Sequence, residues 1–167
     1  LGPLFSRLPR APKAALRLRL RALAGLKWNQ LGLESLPLFL RAGGDLAMRL
    51  YEQLTARAIG TVVRAPGAAP VTAEVVINEP VRALGFEDDE ALLPFGGRSF
   101  HGYRLLQEYF AFPQRFLFTE LQHLRPGVRR VTGSELEIVV LLDGYEPSLE
   151  GVVDTGHVAL FATPAIN

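Results

Sequence analysis

Residues 13–23 alternate strictly: Leu16, Leu18 and Leu20 face one way, and Arg17, Arg19 and Arg21 face the other. A period of two with a charged outer face predicts a half-buried antiparallel strand. A helix is excluded, because successive arginines would lie about 200° apart and circle the axis. After a turn near Asn29, Leu36-Pro37-Leu38-Phe39-Leu40-Arg41 predicts a second strand. Pro37 then suits an edge position or the strand start, where a missing backbone donor does little harm. Gly43-Gly44 breaks that strand and the period changes to 3.6: Leu46, Leu50, Leu54 and Ala58, with Tyr51 beside them, form one apolar helix face. Asp45 can cap this helix and Gly60 can end it.

The period returns to two at Thr61-Val62-Val63-Arg64 and again from Val71 to Asn78, with a Pro- and Gly-containing turn over 65–70 between them. The pair predicts a hairpin or a sheet-crossing pair that Glu79-Pro80 stops. A second helix should follow Ser99, its candidate cap, and run to about Tyr109. In it Tyr103, Leu106 and Phe110 share a face at i, i+3 and i+7 spacing. With Tyr109 and Pro113 they make an aromatic motif expected to be buried against a sheet. Phe112-Pro113 terminates it, because the residue before proline avoids helical angles. Three more β segments are expected at Phe116–Leu121, Glu135–Leu142 and Val158–Thr163.

About seven short strands and two packed α-helices, with the strands grouped, predict an α+β fold with a mainly antiparallel sheet or sandwich. A doubly wound sheet would need a helix between successive parallel strands. Pro3, Pro9 and Pro12 mark residues 1–12 as an extended lead-in or linker, leaving 13–167 as a single α+β domain. The chain has no initiator Met and stops inside an apolar pattern, which reads as a domain excised from a longer chain.

Composition adds bounds. Apolar residues are 49% and charged residues 21% of 167, the balance of a globular protein. There is no cysteine, which excludes disulfides, thiol catalysis and cysteine-based metal sites and is compatible with the cytoplasm. No apolar run approaches the ~18–20 residues that cross a bilayer, so no direct membrane insertion is expected. The net charge of +1 hides a split: residues 1–41 carry eight Lys or Arg and one Glu, and the remainder is acidic. Such a split can steer a partner or let one part of the fold complement another.

No motif announces catalysis. His101, His123 and His157 lack HxH or HExxH spacing, so no metal site is expected. Glu87, Asp88, Asp89 and Glu90 do not form a calcium loop, and four adjacent acids share one solvated environment rather than the opposed environments that acid–base catalysis needs. They read as a surface loop. No serine lies in a G-x-S-x-G elbow. The Gly96-Gly97-Arg98-Ser99 turn ahead of a helix is an alternative anion or hydrolytic site, with Arg98 and His101 nearby, although it matches neither phosphate-loop pattern. Arg17, Arg19 and Arg21, extended by Lys13 and Lys27, could grip phosphates, but the charged face lacks the aromatics that single-strand binding adds, and a pI of 8.4 is modest. Protein contact, or a charged edge strand protected from self-association, fits better than nucleic acid.

The segment Arg104-Leu105-Leu106-Gln107-Glu108-Tyr109-Phe110-Ala111-Phe112-Pro113 resembles the RLLQEYFAFP segment of the TssF (VasA, ImpG) family of the bacterial type VI secretion system. Gly44 to Leu54, following Leu36-Pro37-Leu38-Phe39-Leu40, is similar to its LxLxL…ELAxRLYExL segment. Glu135 to Asp143 resembles LEIxLLLD, and Phe161 to Asn167 resembles FxTPxxN, with Ala162 where relatives often carry Cys. The resemblance implies a structural role without cofactor or catalytic residue: a wedge subunit of a contractile, phage-tail-like baseplate at the cytoplasmic face of the inner membrane. Its implied partners are TssG, TssK, TssE and other TssF copies. Candidate contact residues are Arg17, Arg19 and Arg21 with the acidic loop Glu87, Asp88, Asp89 and Glu90.

Overall fold

The computed structural model describes residues 8–69, 73–94 and 100–165. Among the described residues eight strands form two antiparallel four-stranded sheets, in the orders β1-β7-β3-β4 and β5-β6-β2-β8. The expected α+β class stands. The first sheet comprises β1 (Ala14–Arg21), β3 (Ala58–Arg64), β4 (Glu74–Val76) and β7 (Glu135–Leu142); the second comprises β2 (Leu36–Leu40), β5 (Val81–Ala83), β6 (Phe118–Leu121) and β8 (Val158–Ala159). Among the described residues three α-helices accompany them: α1 (Asp45–Ala56), α2 (His101–Ala111) and the single turn α3 (Arg125–Val128).

The alternation in β1 does what its pattern requires. Leu16, Leu18 and Leu20 pack partly buried against the core while the intervening arginines are exposed. Leu18 stands opposite Ile138 and Leu20 opposite Leu136 in β7. On the core side Leu136, Ile138, Val140 and Leu142 of β7 join Val63 of β3, Leu38 and Leu40 of β2, Leu121 of β6, and Leu50 and Leu54 of α1. Burying a Leu side chain contributes about 1.5–3 kcal/mol, so this cluster is the main cohesive term between the sheets. Trp28 closes it, and its indole N–H donates to the Ser134 carbonyl at 2.9 Å.

The opposite face of the first sheet carries a smaller cluster of Ile59, Val62, Ala73 and Leu141, with Leu8 laid over it. A bulge between Ala58 and Gly60 places one extra residue in β3 and sends Ile59 to this face. A Cβ on Gly60 would lie 2.7 Å from Leu8 Cδ2, so the glycine admits the segment that crosses the sheet here. Gly127 is tighter still: a Cβ there would meet Val63 Cβ at 2.5 Å, and α3 can seat on β3 only without one.

Several boundaries differ from expectation. Asp45 is the first helical residue rather than the cap; Gly44 takes the cap position at φ 59°, a left-handed value that glycine adopts without strain. α1 ends at Ala56, before Gly60, which belongs to β3. Pro37 is in an interior strand, yet β8 pairs only with Phe39 and Leu40, so the proline lies outside that second ladder. β5 follows Glu79-Pro80 where no strand was expected, because three residues carry too little periodicity to be read. Phe116 and Leu117 belong to a 3₁₀ turn over Pro113–Leu117, and β6 starts only at Phe118.

Candidate functional site

The aromatic helix is inside out relative to its expected orientation. Tyr103, Leu106 and Phe110 are 65%, 55% and 80% exposed, and Tyr109 is 45% exposed. The side chains of α2 that are buried are Arg104 and Glu108. At about 100° per residue the mean direction of the Arg104–Glu108 face and that of Tyr103, Leu106 and Phe110 differ by about 150°. Either face could have been turned inward; the carboxylate–guanidinium pair is the one that found partners.

Those partners come from the segment after β5 and from the turn after α2. Glu108 Oε1 accepts from the N–H groups of Leu92 at 2.9 Å and Leu93 at 3.1 Å, while Arg104 NH1 lies 3.3 Å from Oε2. Arg104 NH2 donates to the carbonyls of Phe86 at 3.0 Å and Glu87 at 3.2 Å. Arg115, also buried, sets its Nε 3.6 Å from Glu108 Oε2 and donates to the Glu90 carbonyl. Burial works against the Glu108 charge, but the Leu93 and Leu92 amides and the Arg104 guanidinium outweigh it and hold the carboxyl below its usual range. Gly85 completes the packing at φ 105°, where a Cβ would lie 3.0 Å from Arg115 NH1.

With its charges tied inward, α2 presents an apolar surface outward. Phe100 and Tyr103 meet edge to face at 5.8 Å, and Tyr109 and Phe110 at 5.7 Å. Beside them a groove of about 340 Å³ runs between α1 and α2, its lining including Met48, Tyr51, Phe86, Leu106, Tyr109 and Phe116. A contiguous exposed apolar patch of this kind marks an interaction surface, whereas single exposed apolar residues do not.

The acidic run is partly a structural turn. Asp88–Glu90 form a 3₁₀ turn, and Glu90 accepts from the Gly85 N–H at 2.6 Å and pairs with Arg82 at 3.1 Å. Arg82 also reaches Glu120, at 3.3 Å. Asp88 Oδ1 is 2.5 Å from His101 Nδ1. Glu87, Asp88 and Asp89 are exposed. Arg17, Arg19 and Arg21 project from the far face of the first sheet, where Arg19 NH2 stands 3.5 Å from the buried Glu137. Among the described residues no ion pair joins this arginine row to the acidic loop, so the two candidate sets are separate patches. Glu137 is held chiefly by Arg64, at 2.5 Å; burial opposes its charge, but the Arg64 and Arg19 contacts keep the carboxyl lowered.

The alternative site at Gly96 to Ser99, with Arg98 and the proposed cap at Ser99, lies outside the described residues; Phe100 holds the cap position of α2. Among the described residues no three His, Cys, Asp or Glu side chains gather as a metal site, and no helix is long and apolar enough to cross a membrane. Arg104, Glu108 and Arg115 were not foreseen as interior groups. The readable signal was the i, i+4 spacing of Arg104 and Glu108 on the side away from Tyr103, Leu106 and Phe110.

Comparison with known proteins agrees with the quoted segments. The family model described as type VI secretion system, TssF, matches residues 3–167. The type VI secretion system component TssF1 of Pseudomonas aeruginosa is 50% identical over all 167 residues, which span 26% of its length. A chain of the TssK-TssF-TssG baseplate subcomplex, solved by cryo-electron microscopy, shares the fold with a TM-score of 0.66 and 24% identity over 92% of this chain and 29% of that one. The chain therefore covers about a quarter of the relative it matches, and by its sequence from residue 3 to the end it belongs to the TssF family of the type VI secretion system.

Proposed function

We propose that this chain is a scaffolding portion of a baseplate wedge subunit and that it docks a neighbouring subunit through the aromatic face of α2. The carrying observation is the orientation of that helix: Arg104 and Glu108 are buried while Phe100, Tyr103, Leu106 and Phe110 face outward. A helix that spends its charges on holding its own position leaves an apolar face whose burial must come from another protein surface. The solved relative of this fold stands in a complex with TssK and TssG, which makes TssG the first partner to test and TssK the second. On this reading residues 13–167 work as one unit within a longer subunit at the cytoplasmic face of the inner membrane. The work is mechanical: contacts hold an assembled state, and no turnover is involved.

The test is co-purification of TssG with the full-length protein carrying Tyr103→Ser and Phe110→Ser. Loss of the complex with an unchanged melting temperature supports the reading. A complex that survives both substitutions rejects it. Arg104→Ala serves as the contrast, because it should damage folding and assembly together.

A further inference from the structure

Among the described residues β1 is an open sheet edge. It ends the order β1-β7-β3-β4, so one side of this eight-residue strand is unpaired among the described residues. The Ala22 N–H donates to the Ser134 carbonyl at 2.8 Å, which makes those residues a hydrogen-bonded pair. Antiparallel ladders alternate, so Leu20, Leu18 and Leu16 also turn their backbone groups to β7. Ala15, Arg17, Arg19 and Arg21 turn theirs outward. A long, regular row of free donors and acceptors is a template for strand addition.

β7 shows what chemistry β1 selects. Glu135 and Glu137 stand opposite Arg21 and Arg19, and Leu136 and Ile138 opposite Leu20 and Leu18. The match is incomplete from the β1 side. Glu137 is taken mainly by Arg64, and among the described residues Arg17 and Arg21 have no carboxylate within ion-pair distance. Leu16, Leu18 and Leu20 stay only partly buried although they pack on the core. A groove of about 460 Å³ opens beside the first half of the strand, with Leu16, Leu142, Leu149 and Val153 in its wall. Its two carboxylates are engaged, Glu146 by Arg49 at 3.2 Å and Glu150 by the Tyr145 hydroxyl.

We infer that β1 is a strand-addition site for an extended segment of a protein partner in which acidic residues alternate with apolar ones. The segment's backbone pairs with the outward groups of Ala15, Arg17, Arg19 and Arg21. Its acidic side chains lie over the arginine row, and its apolar ones cover the three leucines. Like β7, it would put carboxylates and hydrocarbon on opposite faces. This surface belongs to the first sheet and does not depend on the docking role of α2.

The probe is a blocked peptide alternating Glu with Val, compared with its Lys counterpart, measured by fluorescence anisotropy against the full-length protein. Hydrogen exchange of the β1 amides is followed in parallel. The expected result is binding of the Glu peptide that weakens with salt, no binding of the Lys peptide, and slowed exchange across Ala15–Arg21. Arg17→Pro removes one outward donor while sparing the β7 ladder, and should weaken binding about tenfold. If that variant does not fold, Arg17→Glu with Arg21→Glu decides, and should abolish binding. Equal binding of both peptides, no binding of the Glu peptide, protection confined to other strands, or binding retained in the variant that folds each overturns the inference. None of these outcomes touches the TssG experiment, so the two readings fail separately.

Discussion

Arg104 and Glu108 stand one helical turn apart on α2, both almost fully buried, with NH1 and Oε2 3.3 Å apart. Desolvating two charges costs more than their attraction returns unless further hydrogen bonds complete both groups. Here the Leu92 and Leu93 amides serve the carboxylate, and the Phe86 and Glu87 carbonyls accept from the Nη2 of the guanidinium. The pair thus fixes which face of the helix the molecule shows.

Glu108→Ala leaves Arg104 and Arg115 buried without their shared carboxylate, and should cost about 3–5 kcal/mol of stability. Joint replacement by Arg104→Leu and Glu108→Leu should cost less than that single change. Urea unfolding followed by the emission of Trp28, the one tryptophan in the chain, measures both. A loss below about 1 kcal/mol for Glu108→Ala would remove the pair from its orienting role.

Stability should fall in acid. Glu108, Glu120 and Glu137 all have lowered pKa values in the fold, in each case because hydrogen bonds and arginine charge overcome burial. A depressed folded pKa means that the unfolded chain binds protons first. The contribution is therefore complete above the ordinary carboxylate range near ~4.3 and is lost as pH drops through the folded values. Urea midpoints measured downward from about pH 6 should hold and then decline. Glu137→Gln should flatten that decline, and an unchanged slope would contradict the assignment.

Gly127→Ala should destabilise by about 1–3 kcal/mol, since the added methyl would lie 2.5 Å from Val63 Cβ and backbone must give way. Gly32→Ala, where the new Cβ meets nothing within 4 Å, is the matched control. Thermal melts of the two variants should separate clearly. Equal melts would mean that α3 does not press on β3.

Phe110→Ser should change stability by no more than about 0.5 kcal/mol, because the ring is 80% exposed. Leu136→Ala, in the core of β7, should cost about 2–5 kcal/mol. Comparable losses in the two variants would show that the aromatic face packs within its own chain rather than awaiting a partner.

The period-two alternation at residues 13–23 determined β1 and its buried face, and the 3.6 period around Leu50 and Leu54 determined α1. Both are local, since one element's own repeat states which side is apolar. The quoted segments likewise carried the family. Sequence could not decide how α2 is turned. Its two faces, one aromatic and one bearing Arg104 and Glu108, are both self-consistent along the helix. The choice rests on carbonyls and amides between residues 86 and 93, which only the folded chain brings alongside. Hydrophobic pattern assumes that apolar means inside, and that assumption fails where a buried ion pair finds hydrogen-bond partners in other segments. The three-residue β5, the separation of the arginine row from the acidic loop and the open edge of β1 were likewise settled by tertiary pairing, because strand order and register depend on contacts between distant residues rather than on any one segment.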